Sequence, residues 1–118
     1  MTTHPGKYTL YLYQGSTFTR IITWKDESGA LVDLTGFTAR MQMRETVDAA
    51  TAFLTLTTEN SGITLGGVSG TITLLAAATD TAAITAKQGV YDLELVAGNG
   101  TVTRLIEGLV IVVQEVTR

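Results

Sequence analysis

Phe37-Thr38-Ala39-Arg40-Met41-Gln42-Met43-Arg44 alternates without a fault: Phe37, Ala39, Met41 and Met43 fall on one side of an extended chain, and Thr38, Arg40, Gln42 and Arg44 on the other. Side chains repeat every two residues only in a strand, so this run is a strand with one face in a core and one in water. Tyr91-Asp92-Leu93-Glu94-Leu95 repeats the pattern with Asp92 and Glu94 outward. Two such half-buried strands, far apart in sequence, point to antiparallel sheet.

Working outward, further strands are expected at Lys7–Gln14, Thr17–Lys25, Ala52–Thr57, Gly70–Leu75 and, as one long stretch, Thr101–Thr117. Glu27-Ser28-Gly29, Gly66-Gly67 and Gly98-Asn99-Gly100 separate them, and these are residue types that accept the positive φ of tight turns. Threonine supplies nearly a fifth of the chain, and its β-branch packs well on a pleated surface. Short, evenly spaced strands of this kind build a sandwich or barrel. One segment departs from the pattern: Ala78–Ala86 is alanine-rich and opens on residues suited to capping, which predicts a short helical turn near residues 79–86. No repeat or linker divides the 118 residues, so one domain over 1–118 is expected, with residues 1–6 as a flexible arm.

Composition excludes several functions. No cysteine is present, which removes disulfides, thiolate metal ligands and cysteine nucleophiles. The net charge is −3 with eight basic residues dispersed among eleven acidic ones, so no nucleic-acid partner is expected. No apolar run approaches the roughly 20 residues of a membrane helix, and Met1–Gly6 lacks the apolar segment of an export signal; the chain reads as soluble, made without export and without a membrane partner. The one histidine, His4, has no orienting partner nearby, and Asp26, Glu27 and Asp33 lack the alternating-ligand spacing of a calcium loop. The glycines between Gly62 and Gly70 lack the Lys-Ser/Thr of a phosphate loop. Asn99-Gly100-Thr101 matches a glycosylation acceptor, but Asn-Gly in a hairpin explains it without glycans and no export signal supports modification. No catalytic, cofactor-binding or metal residue is therefore assigned, and no enzyme activity is expected.

Two surfaces carry positive signals. Leu109-Val110-Ile111-Val112-Val113 is apolar on both faces, so whichever of Val110 and Val112, or Leu109, Ile111 and Val113, points away from the core needs a cover, from the chain itself or from another subunit. In the N-terminal strand, Leu10 and Leu12 facing the core would display Tyr11 and Tyr13, a residue type favoured at protein and sugar contacts.

Gly89–Leu95, preceded by the short helical segment Thr79–Thr85, resembles the E–F corner of an immunoglobulin-like sandwich. The resemblance implies that Tyr91 returns its hydroxyl to upstream backbone and that Trp24 is the buried tryptophan; without cysteine, the chain is no antibody-type domain. The order Phe18–Trp24, Lys25–Gly29, Val32–Gly36, Ala39–Arg44, Tyr91–Leu95 and the terminal Glu115–Arg118 is similar to the immunoglobulin-like N-terminal domain of phage baseplate upper proteins and related small tail and virion structural proteins. That family implies a non-enzymatic virion subunit of tail, baseplate or tail fibre, assembled in the host bacterial cytoplasm by contacts with itself or with other virion proteins. The alternatives are a capsid decoration protein and a glycan- or receptor-binding module using Tyr11, Tyr13 or Trp24.

Overall fold

The computed structural model describes residues 5–117. Nine strands form two sheets: β1 (Gly6–Lys7), β2 (Leu10–Tyr13), β3 (Phe18–Thr23), β4 (Thr38–Arg44), β5 (Leu54–Thr57), β6 (Ile63–Leu65), β7 (Thr71–Ala76), β8 (Gln88–Val96) and β9 (Val102–Val113), with one α-helix, α1 (Ala78–Ala82), and a short 3-10 turn at Gly67–Ser69. The larger sheet runs β1-β9-β8-β4-β5, with β2 also on β9; the smaller runs β3-β7-β6. Every pairing is antiparallel except those of β1 and β2, which lie parallel to β9. This is the layout of an immunoglobulin-like β-sandwich, whose two sheets bury their inner faces against each other.

The core follows the alternation read from the sequence. Ala39, Met41 and Met43 from β4, Leu93 and Leu95 from β8, Leu10 and Leu12 from β2, and Val110 and Val112 from β9 meet Ile63, Ile72, Leu74 and Ala76 of the smaller sheet. On β9 the pairing with β8 shifts by one residue: Leu93 faces Ile106 but Glu94 faces Arg104, leaving Leu105 as a bulge.

Several expectations are corrected. The strand expected over Thr101–Thr117 ends at Val113, and α1 is shorter than expected, with Ala77 as its cap and no side-chain capping bond. Instead Thr81, fully buried, ties α1 to the β2–β3 turn: its Oγ1 accepts the Gly15 N–H at 3.1 Å and donates to the Ser16 carbonyl at 2.8 Å. The arm expected over residues 1–6 is pinned by Gly6, which already pairs with Ile106; residues 1–4, including His4, lie outside those described. β6 was not anticipated at all. Trp24 lies just past β3, half-buried and edge-on to Phe37 (6.1 Å, 88°), not in a central strand; Met41 and Met43 fill the core from β4.

Parallel pairing of the N-terminal strand has a constant register: Gly6 and Lys7 face Ile106 and Glu107, and Leu10 to Tyr13 face Val110 to Val113, always one hundred positions apart. The ladder is interrupted only at Tyr8 and Thr9, opposite Gly108 and Leu109. There the backbones approach so closely that a Cβ on Gly108, whose φ is +157°, would run into the Tyr8 carbonyl. Gly108→Ala should therefore cost about 2–4 kcal/mol of stability, whereas Gly100→Ala, at φ +91° in open space, should cost about 1 kcal/mol. Urea unfolding with unchanged slope measures both.

Candidate functional site

With Leu10, Leu12, Val110 and Val112 committed to the core, the alternate residues of β2 and β9 form the outer face of the larger sheet. Register sets them in rows. Tyr11, Ile111 and Gln88 form one; Tyr13 and Val113 the next; Leu109, Val90 and Arg44 a third on the other side of the first. Tyr11 (53% exposed), Tyr13 (57%), Leu109 (54%) and Val113 (37%) leave this end of the face apolar and open. Of the seven residues singled out in the sequence, the structure thus brings Tyr11, Tyr13, Leu109, Ile111 and Val113 together on one surface. Val110 and Val112 are withdrawn from it, because they point inward under β8.

The other half of the same face is ionic. Lys7, Glu107, Asp92 and Gln42 share a row, and Arg104, Glu94 and Arg40 the next. Lys7 pairs with Glu107 at 3.0 Å, Arg40 with Glu94 at 2.8 Å, and Arg104 with Glu107 at 3.3 Å and Asp92 at 3.5 Å; these are the ion pairs among the described residues. The Lys7 ammonium and then the Arg104 guanidinium hold the Glu107 carboxyl below its ordinary range, against partial desolvation, whereas desolvation pushes that of Asp92 up against the pull of Arg104. Exposed pairs of this kind add little stability singly; they keep the charges balanced and extended across the sheet. Between the two halves lies an open depression of about 560 Å³ lined by Arg44, Val47, Val90, Asp92 and Leu109. Val47, 84% exposed on the β4–β5 loop, is an apolar member of the face that the sequence reading missed, since a lone valine among polar loop residues gives no signal.

Beneath the face, Tyr91 is buried and donates its hydroxyl to the Tyr8 carbonyl at 2.8 Å. The bond to backbone expected from the tyrosine-corner resemblance exists, but it reaches the break between β1 and β2, not the helical corner before β8. It fastens the strand that carries Tyr11 and Tyr13. Burial, opposed by Arg20, pushes the Tyr91 phenol up to about 12.

The carboxylates of the β3–β4 loop do not converge. The Asp26 Oδ1 accepts the Ser28 and Ala30 N–H groups and the Ser28 hydroxyl, and the Asp33 Oδ1 accepts the Thr35 N–H and hydroxyl, so each closes its own turn. Those bonds hold both carboxyls below their ordinary range. Asn99 likewise accepts the Thr101 N–H in the β8–β9 hairpin.

No protein-family model and no curated protein matches this chain. Among solved structures, the chain is similar to the extracellular domain of the voltage-gated sodium channel β4 subunit, described as a parallel homodimer with a role in cell–cell adhesion: TM-score 0.51, 13% identity, 98% of each chain covered. A second structure, from work on multimeric cell-adhesive interactions of sodium channel β subunits, aligns with TM-score 0.49 at 13% identity over 96% of this chain and 98% of that one. Tim-1 aligns with TM-score 0.45 at 12% identity over 98% and 99%. At such identities the likeness to the β4 domain establishes the fold, an immunoglobulin-like sandwich, and nothing further.

Tyr91→Phe should lower stability by about 1–2 kcal/mol, the cost of leaving the Tyr8 carbonyl unpaired. Because the folded protein holds the phenolic proton above the ordinary 10.0, its contribution is complete below pH 10 and is lost as pH rises through about 12. Urea titrations between pH 9 and pH 12 should show this loss in the wild type and its absence from Tyr91→Phe.

Proposed function

We propose that this chain is a non-enzymatic structural protein of a phage virion, a tail, baseplate or tail-fibre-associated subunit, and that it assembles through the outer face of its larger sheet, first with a second copy of itself. The observation that carries this reading is the divided face. Half-exposed Tyr11, Tyr13, Leu109 and Val113 form an apolar half, and the Lys7, Glu107, Arg104 and Asp92 pairs border it on one side. A patch of aromatic and aliphatic side chains beside charged residues has the composition of protein interfaces. The virion assignment rests on the resemblance carried by the order of motifs from Phe18 to Arg118, which implies assembly in the host bacterial cytoplasm.

Sedimentation velocity tests the interface. The wild type should form dimers or larger species whose share rises with concentration, and Leu109→Asp or Tyr13→Asp should weaken association by at least about tenfold, since centrally placed anchors carry most of an interface's energy. Both positions are exposed, so unfolding midpoints should stay near wild type. A wild type that remains monomeric at every concentration, together with its absence from purified particles, would sink the proposal.

A second reading, glycan or receptor binding, is favoured by the side-by-side exposure of Tyr11 and Tyr13 alone, because Trp24 is packed against Phe37 and belongs to another part of the molecule. It requires a glycan-array signal that disappears in Tyr11→Ala and Tyr13→Ala.

A further inference from the structure

The N-terminal strand gives all its pairing to β9, and this leaves β3 as an edge of the smaller sheet among the described residues. The phase of that edge is fixed. The Trp24 N–H donates to the Gly70 carbonyl at 2.9 Å, so in the β3–β7 pair the even-numbered residues of β3 bond inward and Thr19, Ile21 and Thr23 turn their N–H and C=O groups outward. Alongside this edge, between it and β1–β2, the two sheets part into a seam of about 520 Å³. Its walls include Leu10, Ile22 and Trp24, and the bulge on β9 turns both Leu105 and Ile106 toward it.

Arg20 stands in this seam in an unusual place. It faces fully buried Leu74 across the β3–β7 pair, and so occupies the core-facing row of β3 between Phe18 and Ile22. It makes no ion pair among the described residues, and the seam's other charge is Lys25; no carboxylate lines it, although the chain as a whole is acidic. Although it starts from the core-facing row, the Arg20 side chain is exposed at the open edge, and a cation there opposes pairing of this edge with its own copy, since two β3 edges side by side would bring two Arg20 side chains close together. The same cation attracts a strand that brings a carboxylate.

We propose that the seam is a strand-acceptor site: an extended segment of a partner protein adds to the β3 edge, bonding to the outward groups of Thr19, Ile21 and Thr23, with an acidic side chain on Arg20 and apolar side chains two residues to either side. Backbone bonds supply affinity in such β-augmentation and the alternate side chains supply selection. The site borders the outer face of the larger sheet where Tyr11 and Tyr13 share a shallow depression with Thr19 and Arg20, but it takes a different partner and goes beyond the self-association described above.

The test uses the full chain and two synthetic heptapeptides, Lys-Val-Thr-Glu-Thr-Val-Lys and the same peptide with a central Lys, which place Val, Glu or Lys, and Val in the inward row. Titrations followed by NMR should show the Glu peptide binding at least about tenfold more tightly than the Lys peptide, a difference of about 1.4 kcal/mol. The bound Glu peptide should slow hydrogen exchange of the Thr19, Ile21 and Thr23 amides. Arg20→Glu should invert the preference and Arg20→Gln should abolish it; if Arg20→Glu does not fold, the wild-type comparison and Arg20→Gln suffice. Leu109→Asp should bind as wild type does, so the result stands apart from self-association. Equal affinities, no binding of either peptide at millimolar concentration, or protection elsewhere than β3 would overturn the proposal. So would β3 amides already protected in the free chain, which would mean that residues of the same chain fill the seam, or protected as protein concentration rises, which would mean a second copy does.

Discussion

The Tyr91 hydroxyl meets the Tyr8 carbonyl at 2.8 Å, next to Gly108, where the N-terminal strand comes closest to β9. This contact governs the larger sheet. A parallel strand cannot be delivered by a hairpin, so nothing local in sequence holds β1 and β2 in register; the bond from a buried phenol and the missing Cβ of Gly108 do. If the strand slipped by one residue, Leu10 and Leu12 would exchange places with Tyr11 and Tyr13, putting two phenols into the core and two leucines into water. At the far end of β2 the register is held again: the Gln14 side chain donates to the Ile84 carbonyl and accepts the Glu115 N–H, and Thr81 closes on Gly15 and Ser16.

Two surfaces follow from that one placement. Adding β1 and β2 beside β9 widens the larger sheet and sets Tyr11 and Tyr13 next to Ile111 and Val113, which makes the apolar end of its outer face. The same step leaves no strand among the described residues for the outer side of β3, which opens the seam around Arg20. Both surfaces are consequences of where a short N-terminal segment spends its hydrogen bonds.

Much of this was legible in the sequence, and the reasons for the exceptions are physical. Phe37–Arg44 and Tyr91–Leu95 alternate cleanly because each has one wet face, and both are strands. Leu109–Val113 was readable as apolar on both sides, but the period-two pattern has no phase when every residue is apolar; only the pairing of Val110 with Leu10 and Gly89 decides which side is inward. β6 escaped notice because it is three residues long amid glycines. The bond from Tyr91 to Tyr8 spans 83 positions, a separation that leaves no trace in local pattern. The immunoglobulin resemblance implies a buried Trp24, yet a tryptophan at a strand end can bury one edge against Phe37 and leave the rest at the rim. Nothing in the sequence around Arg20 marks its face, and only the register of β3 with β7 sets it in the core-facing row.

The parallel pairing of β1 and β2 with β9 also has a mechanical meaning. These are the first and last strands of the described chain, and because they run in the same direction, a pull that separates the start of β1 from the end of β9 acts along the ladder, not across it. Its hydrogen bonds then share the load together and must give way as a group, whereas an antiparallel pair of terminal strands would peel apart one bond at a time. Such a geometry resists tension between its two ends better than one whose terminal strands unzip.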